Sequence, residues 1–204
     1  MGDKQHWETV YETKLPDTVS WYSPHLETSL ALIERAAPGH GAAILDVGGG
    51  ASTLVDDLLG RGYRDVSVLD ISAAALDIAK RRLGAAASKV DWLVTDILLA
   101  KLQPQRYDLW HDRAVFHFLT AQDRRQAYVQ QLVHALKPSG HAVIASFGPE
   151  GPQRCSGLDT ARYDAAALAR VLGPGLTLID SMLEMHPTPS GANQQFLYTL
   201  FRRE

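Results

Sequence analysis

Residues 44–70 combine glycines and carboxylates at the spacing of a nucleotide-binding turn. An apolar run that contains Asp46 enters three consecutive glycines, 48–50, and a second apolar run ends at Asp70. Glycine lets the backbone approach a ligand closely, and the helix that follows offers free N–H groups. An acid about twenty residues further on can accept hydrogen bonds from both hydroxyls of a ribose. The segment therefore predicts a site for a cofactor that contains a nucleoside.

The details of the turn favour S-adenosylmethionine over a dinucleotide. A dinucleotide fingerprint has a third glycine, which allows the helix to pack tightly beside a pyrophosphate. Here Gly48, Gly49 and Gly50 are followed by no further glycine through Thr53. The carboxylate of Asp46, at the strand end, suits a cationic amino group and would repel a pyrophosphate.

The stretch ILDVGGGASTL resembles motif I of the class I, seven-stranded methyltransferases, and VLDIS resembles their second motif. This resemblance implies that S-adenosylmethionine is the cofactor and S-adenosylhomocysteine the product. It also implies that Asp70 holds the ribose hydroxyls, that Ile71 packs on the adenine, and that Asp96 and Ile97 meet the adenine edge. The glycines of the turn and Thr53 complete these expected contacts.

Ionisable side chains follow the fourth predicted strand, residues 107–110, where the methyl group and the acceptor meet in this fold. Methyl transfer from a sulfonium is an in-line displacement, so the protein aligns the nucleophile and removes a proton if there is one. An unperturbed histidine side chain changes charge near neutrality, so His111 and His117 are candidate bases, and His111 is also expected to contact the cofactor. Asp112 is a candidate to hold the methionine amino group or an acceptor amine. Alternatively, Asp112 and Arg113 form a structural ion pair, and His117 is a hydrogen-bonded helix residue.

The order of apolar and polar segments predicts the fold. Strands alternate with helices as far as residue 147, which indicates a parallel sheet with helices on both faces. Two further strand-like runs, 176–182 and 194–201, have no helix between them and predict an antiparallel hairpin. We therefore expect an α/β fold with a doubly wound, mostly parallel seven-stranded sheet that ends in this hairpin. One domain, 1–204, is expected to contain a Rossmann-like core over 41–204.

The helical segments of the first forty residues are not separated by strand-like runs. Two helical patterns, 6–14 and 24–37, precede the sheet and predict a helical cap over residues 1–40. Trp21 lies between these two helices, where an aromatic ring can close over the cofactor and exclude water. We therefore include Trp21 among the expected cofactor contacts.

The composition limits the partners and the compartment. A net charge of −3 argues against a nucleic-acid partner, whose phosphates call for a basic face. Cys155 is the single cysteine, which excludes an internal disulfide, and no cluster has the spacing of metal ligands. The N-terminus lacks a secretory apolar segment, and no apolar stretch is long enough to span a bilayer. A cytoplasmic enzyme with no metal and no membrane partner is expected.

The acceptor is the least specified part of the prediction. The main expectation is methyl transfer to an O, N or S nucleophile of a small molecule, because the chain has no added recognition domain. Residues 112–116, DRAVF, are loosely similar to the Asp-Lys-Gly-Thr segment of small lysine-directed protein methyltransferases, which makes a protein acceptor the alternative. A non-catalytic S-adenosylmethionine-binding module is a further alternative. A nicotinamide-dependent reductase is disfavoured by the missing third glycine.

Overall fold

A computed structural model describes residues 4–204 of the chain. The helices are α1 (Lys4–Thr13), α2 (Glu27–Ala36), α3 (Leu54–Gly60), α4 (Ala73–Leu83), α5 (Gln122–Ala135) and α6 (Ala165–Leu172). The strands are β1 (Ala43–Val47), β2 (Asp65–Asp70), β3 (Val90–Val94), β4 (Tyr107–Arg113), β5 (Leu136–Phe147), β6 (Arg154–Cys155), β7 (Leu158–Asp159), β8 (Leu176–Pro187) and β9 (Asn193–Arg203).

Seven strands form one sheet in the order β3-β2-β1-β4-β5-β9-β8. The pairs between β3, β2, β1, β4 and β5 are parallel, and β9 is antiparallel to both of its neighbours. This arrangement confirms the predicted doubly wound sheet with its C-terminal hairpin. The strand order reverses between β1 and β4, and ligands of such sheets bind at the carboxyl ends of the strands beside this point.

The sheet is buried on both faces. All five residues of β1 are buried, and its successive side chains enter two different hydrophobic clusters, with Ile44 in one and Leu45 in the other. A strand covered by helices on both sides has a continuous apolar run. The strand β1 could therefore be recognised although its apolar and polar residues do not alternate. This central strand fixes the position of the glycine turn at its end.

Helix α1 is attached to the core through one carboxylate. Glu8 accepts hydrogen bonds from the Ser72 hydroxyl and from the N–H groups of Ala73 and Ala74, at the start of α4. Burial opposes ionisation of Glu8, but these hydrogen bonds prevail and lower its pKa. A carboxylate is stabilised at a helix N-terminus by free N–H groups and by the helix dipole. Glu8 therefore fixes the cap above the end of β2.

The structure differs from the prediction at three places in the second half of the chain. Strand β4 continues to Arg113 instead of ending at residue 110, because His111 pairs with Asp46 of β1 and Asp112 pairs with Ile144 of β5. Helix α6 was not predicted, although Asp164 caps its first turn. The short hairpin of β6 and β7 was not predicted either.

Within the described part of the chain, no helix is both long enough and apolar enough to cross a membrane.

Candidate cofactor and acceptor site

Two cavities adjoin each other at the carboxyl ends of β1, β2 and β4. The larger cavity has an empty volume of ≈ 630 Å³ that includes its opening to solvent, and the smaller has ≈ 520 Å³ on the same basis. Both are lined by Tyr11, Trp21, Gly48 and Arg113. The glycine turn and the cap therefore face one region at the carboxyl ends of these strands, which is where sheets of this kind bind their ligands.

The glycine turn has a backbone that only glycine adopts without strain. Gly48 has φ +68°, and a Cβ there would lie 2.0 Å from Cγ2 of Val115. Gly50 has φ +47°, and a Cβ there would lie 3.0 Å from the Tyr11 hydroxyl oxygen and 3.1 Å from Oδ2 of Asp70. The turn is held against β2 because the Gly48 N–H donates to the carbonyl of Leu69 at 2.7 Å. The absence of side chains here brings the cap and Asp70 close to the turn.

Asp70 is buried at the end of β2 and lines the larger cavity. Its Oδ1 accepts a hydrogen bond of 2.8 Å from the Ser72 N–H, whereas Oδ2 faces Gly50. Burial, reinforced by the charges of Asp46 and Glu8, raises the pKa of Asp70 to about 7 despite the hydrogen bond from Ser72. A carboxylate so placed is stabilised when hydroxyl groups donate to it.

Asp46 and His111 form a buried pair beside the smaller cavity. His111 Nδ1 lies 2.7 Å from Oδ1 of Asp46, and Nε2 lies 2.9 Å from the hydroxyl oxygen of Ser29 on α2. A carboxylate only accepts, so the hydrogen bond with Asp46 places the proton on Nδ1. Both ring nitrogens of His111 are therefore engaged within the protein, which places this histidine in a positioning network rather than opposite an acceptor.

Asp112 lines neither cavity. Its side chain is fully buried and accepts hydrogen bonds from the Tyr128 hydroxyl and from the backbone N–H groups of Val115 and Phe116. Burial raises the pKa of Asp112 to about 6 despite these bonds. The expected ion pair with Arg113 is wrong, because the Arg113 guanidinium is directed to other partners. Asp112 instead holds the turn that positions Val115 against Gly48.

His117 is also outside both cavities. Its ring stacks on Phe147 with centroids 4.1 Å apart, and neither ring nitrogen has a hydrogen-bond partner within residues 4–204. Burial and the charge of Arg113 lower the pKa of His117 to about 3. The alternative prediction of a hydrogen-bonded side chain is therefore wrong, and the geometry gives the candidate base no contact with the cavities.

The remaining predicted cofactor contacts divide into two groups. Thr53 donates to the carbonyl of Pro24, and Asp96 accepts from the Leu98 N–H, so these two side chains stabilise turns and line neither cavity. Gly50 lies behind the cavity walls. The structure brings the others to the cavity walls: Trp21, Asp46, Gly48, Gly49, Asp70, Ile71, Ile97 and His111.

Several residues that line the larger cavity were not among the expected site residues. They are Trp7, Tyr11, Val47, Leu69, Thr95, Arg113, Ala114, Val115, Phe118 and Cys155. Arg113 to Phe118 follow directly after the predicted histidine and aspartate, so their place in the chain was the available signal. The aromatic residues of α1 gave only a weak signal, because aromatic residues in amphipathic helices are mostly buried in a core.

Comparison with known proteins agrees with this geometry. Residues 44–140 match the family model described as a methyltransferase domain. This match, over just under half of the chain, supports a class I S-adenosylmethionine-dependent methyltransferase. EEF1A lysine methyltransferase 2 of Danio rerio is 24% identical over 93% of this chain and 80% of the relative. The human protein of the same name is 25% identical over 72% of this chain and 68% of the relative.

Solved structures show the same fold. One, described as converting a disulfide bond into a thioacetal group during echinomycin biosynthesis, has a TM-score of 0.79 at 23% identity and covers 98% of this chain and 93% of its own. The 1,6-didemethyltoxoflavin-N1-methyltransferase of Burkholderia thailandensis, with bound S-adenosylhomocysteine, has a TM-score of 0.74 at 20% identity and covers 98% and 86%. The methyltransferase is thus similar in sequence to enzymes named for protein acceptors and in fold to enzymes named for small molecules.

The residues of this methyltransferase fit S-adenosylmethionine. The Asp70 carboxylate in the wall of the larger cavity is an acceptor for a ribose diol, and the Asp46 carboxylate beside the smaller cavity matches the methionine amino group in charge. The glycine turn between them leaves room for the backbone to approach the ligand.

Proposed function

We propose that this methyltransferase transfers the methyl group of S-adenosylmethionine to a small-molecule nucleophile bound in the larger cavity beneath α1. The observation that carries the proposal is the aromatic cover over that cavity. Trp7 lies edge-on to Phe118 and Trp21, with ring centroids 5.2 and 5.9 Å apart, and Tyr11 lies edge-on to Trp21 at 6.3 Å. An enclosure of this kind buries most of a small aromatic or heterocyclic ligand.

The cofactor contacts follow from the positions of the side chains. Asp70 would accept hydrogen bonds from the ribose hydroxyls, and Ile71 and Ile97 would pack on the adenine. Asp46, oriented by His111, accepts the methionine amino group. Bound S-adenosylmethionine supplies an electrophilic methyl group on a sulfonium. The cavity residues then align the acceptor with that group and exclude water from it.

Protein lysine methylation is the second candidate, and the lysine methyltransferases among the relatives favour it. The two candidates separate when the chain is incubated with methyl-labelled S-adenosylmethionine and a cell extract divided by ultrafiltration into metabolites and proteins. Label transferred to the metabolite fraction supports the proposal. Label recovered on protein lysines would refute it in favour of the second candidate. The variant Asp70→Ala, which should bind the cofactor poorly, is the background control.

A further inference from the structure

Arg113 is a cation without a counter-ion in the wall of both cavities. Its Nε donates to the Tyr198 hydroxyl at 3.0 Å and its Nη1 donates to the Trp21 carbonyl at 2.8 Å. Its guanidinium lies over the ring of Phe196, 4.6 Å from the centroid. No carboxylate among residues 4–204 comes within 4.0 Å of it. All of these partners are neutral, so the positive charge of Arg113 is left to act on whatever occupies the cavity.

The larger cavity also lacks a general base. Its titratable side chains are Tyr11, Asp70, Arg113 and Cys155. Burial raises the pKa of the Tyr11 hydroxyl and of the Cys155 thiol, so neither is ionised near neutrality. Asp70 faces the ribose position, and His111 and His117 are engaged or buried elsewhere. An acceptor that must lose a proton during the reaction therefore finds no group here to take it.

We propose that the acceptor reacts as an anion, a carboxylate or a thiolate, and that Arg113 is the residue that recognises its charge. This inference rests on the proposed function. A guanidinium binds oxyanions and thiolates through charge-assisted hydrogen bonds. It repels an ammonium, which is also repelled by the sulfonium of the cofactor. The one uncompensated cation in this part of the cavity thus selects against amines.

The reaction with such an acceptor needs no proton transfer. The lone pair of the anion forms the new bond to the methyl carbon, the carbon–sulfur bond breaks, and its electron pair stays on sulfur. The negative charge of the acceptor and the positive charge of the sulfonium are both consumed. Arg113 holds the anion before the step, and the product of the step is a neutral ester or thioether. The absence of a base is then a consequence of the acceptor chemistry.

Two probes of matched size and opposite charge, with a third that carries a sulfur anion, test the charge preference. Phenylacetate and phenethylamine differ chiefly in the sign of the charge, and thiophenolate tests a sulfur anion. Each is titrated by calorimetry into the chain saturated with S-adenosylhomocysteine. We expect binding of at least one anion and none of the amine. Binding of the amine in preference to both anions, or of no probe at all, would overturn the inference.

The variant Arg113→Gln tests the assigned residue. It should weaken anion binding by about tenfold or more, the effect of losing one charge-assisted contact, while S-adenosylhomocysteine affinity stays within about twofold. Arg162→Gln, on a loop outside the larger cavity, should change neither affinity. Arg113→Lys keeps the charge and should recover part of the anion affinity, which separates charge from folding.

Two results would place Arg113 elsewhere. If Arg113→Gln weakens S-adenosylhomocysteine but not 5′-methylthioadenosine, which lacks the carboxylate, then Arg113 holds the carboxylate of the cofactor and the inference is wrong. If anion affinity is unchanged in the variant, Arg113 is not the recognition residue. Failure of the proposed function looks different, because the wild-type chain would then methylate protein lysines or bind no S-adenosylhomocysteine.

Discussion

Replacing Asp70 by asparagine should raise the stability of the free enzyme and lower its affinity for the cofactor. The carboxylate is buried, and its pKa is raised from 3.8 to about 7. A buried acid whose pKa is raised in the folded state stabilises the fold fully below its unfolded pKa, and that contribution is lost as the pH rises through the folded pKa. At and above neutrality, the wild-type chain therefore keeps a charge in an unfavourable place.

The magnitude follows from the shift of about 3 pKa units, each worth about 1.4 kcal/mol. The ionised carboxylate thus costs up to about 4 kcal/mol above neutrality, an upper bound because the cavity opens to solvent and water screens the charge. Asparagine has nearly the same shape, and its Oδ1 keeps the hydrogen bond from the Ser72 N–H. Its loss of charge should cost about 2 kcal/mol in ribose binding, or about thirtyfold in affinity.

Denaturant unfolding and calorimetry measure the two effects. Asp70→Asn should have a higher free energy of unfolding than the wild type at a pH of about 8, and the advantage should shrink toward zero as the pH falls below about 4. Its affinity for S-adenosylhomocysteine should be lower at the higher pH. Asp77→Asn is the matched control, because Asp77 lies on α4 with a half-exposed side chain paired to Lys80. A destabilised Asp70→Asn protein with unchanged affinity would refute this account of Asp70.

Four further outcomes are expected. Wild-type affinity for S-adenosylhomocysteine should fall by up to about tenfold per pH unit below about 7, because binding requires ionised Asp70; calorimetry showing a flat profile between pH 5 and 7 would contradict this. Glu8→Ala should cost about 1 kcal/mol of stability and weaken cofactor binding, whereas Glu12→Ala on the same helix should not, as thermal unfolding and calorimetry will show. His117→Leu should gain about 1 kcal/mol by removing an unpartnered buried imidazole and keep the methyl-transfer rate, and a large loss of rate in a folded variant would restore its catalytic role. Asp112→Ala should lose about 3 kcal/mol of unfolding free energy; a stable variant with a reduced rate would instead place Asp112 in the chemistry.

The glycine turn and its flanking carboxylates could be placed together from the sequence because these residues are close in the chain. The glycine turn, Asp46 and Asp70 belong to one β-α-β unit, where each role depends on neighbours within about thirty residues. The predicted sheet was confirmed for a related reason, since buried parallel strands and amphipathic helices have distinct patterns.

The residues after the cofactor unit depend on distant partners. His111 is held by Ser29, 82 positions away, and Asp112 by Tyr128. A polar side chain at a strand end looks the same in the sequence whether it faces a ligand or a buried hydroxyl. Strand β4 was extended past its apolar run for the same reason, since β1 and β5 provide the pairing. Local patterns do not contain this information.

The proposed choice of acceptor rests on charge rather than on the fold. Enzymes named for protein lysines and for small heterocycles resemble this chain to a similar extent, with 24% and 20% identity. Both kinds of enzyme are named as methyltransferases, so the proposed cofactor contacts do not distinguish between acceptors. The larger cavity supports the anionic acceptor proposed above, because it holds one guanidinium without a counter-ion, and Asp70, which titrates near neutrality there, faces the ribose position. An amine would have to lose a proton without a base, beside a guanidinium that repels its ammonium form. A carboxylate or thiolate is attracted by the guanidinium and has no proton to lose.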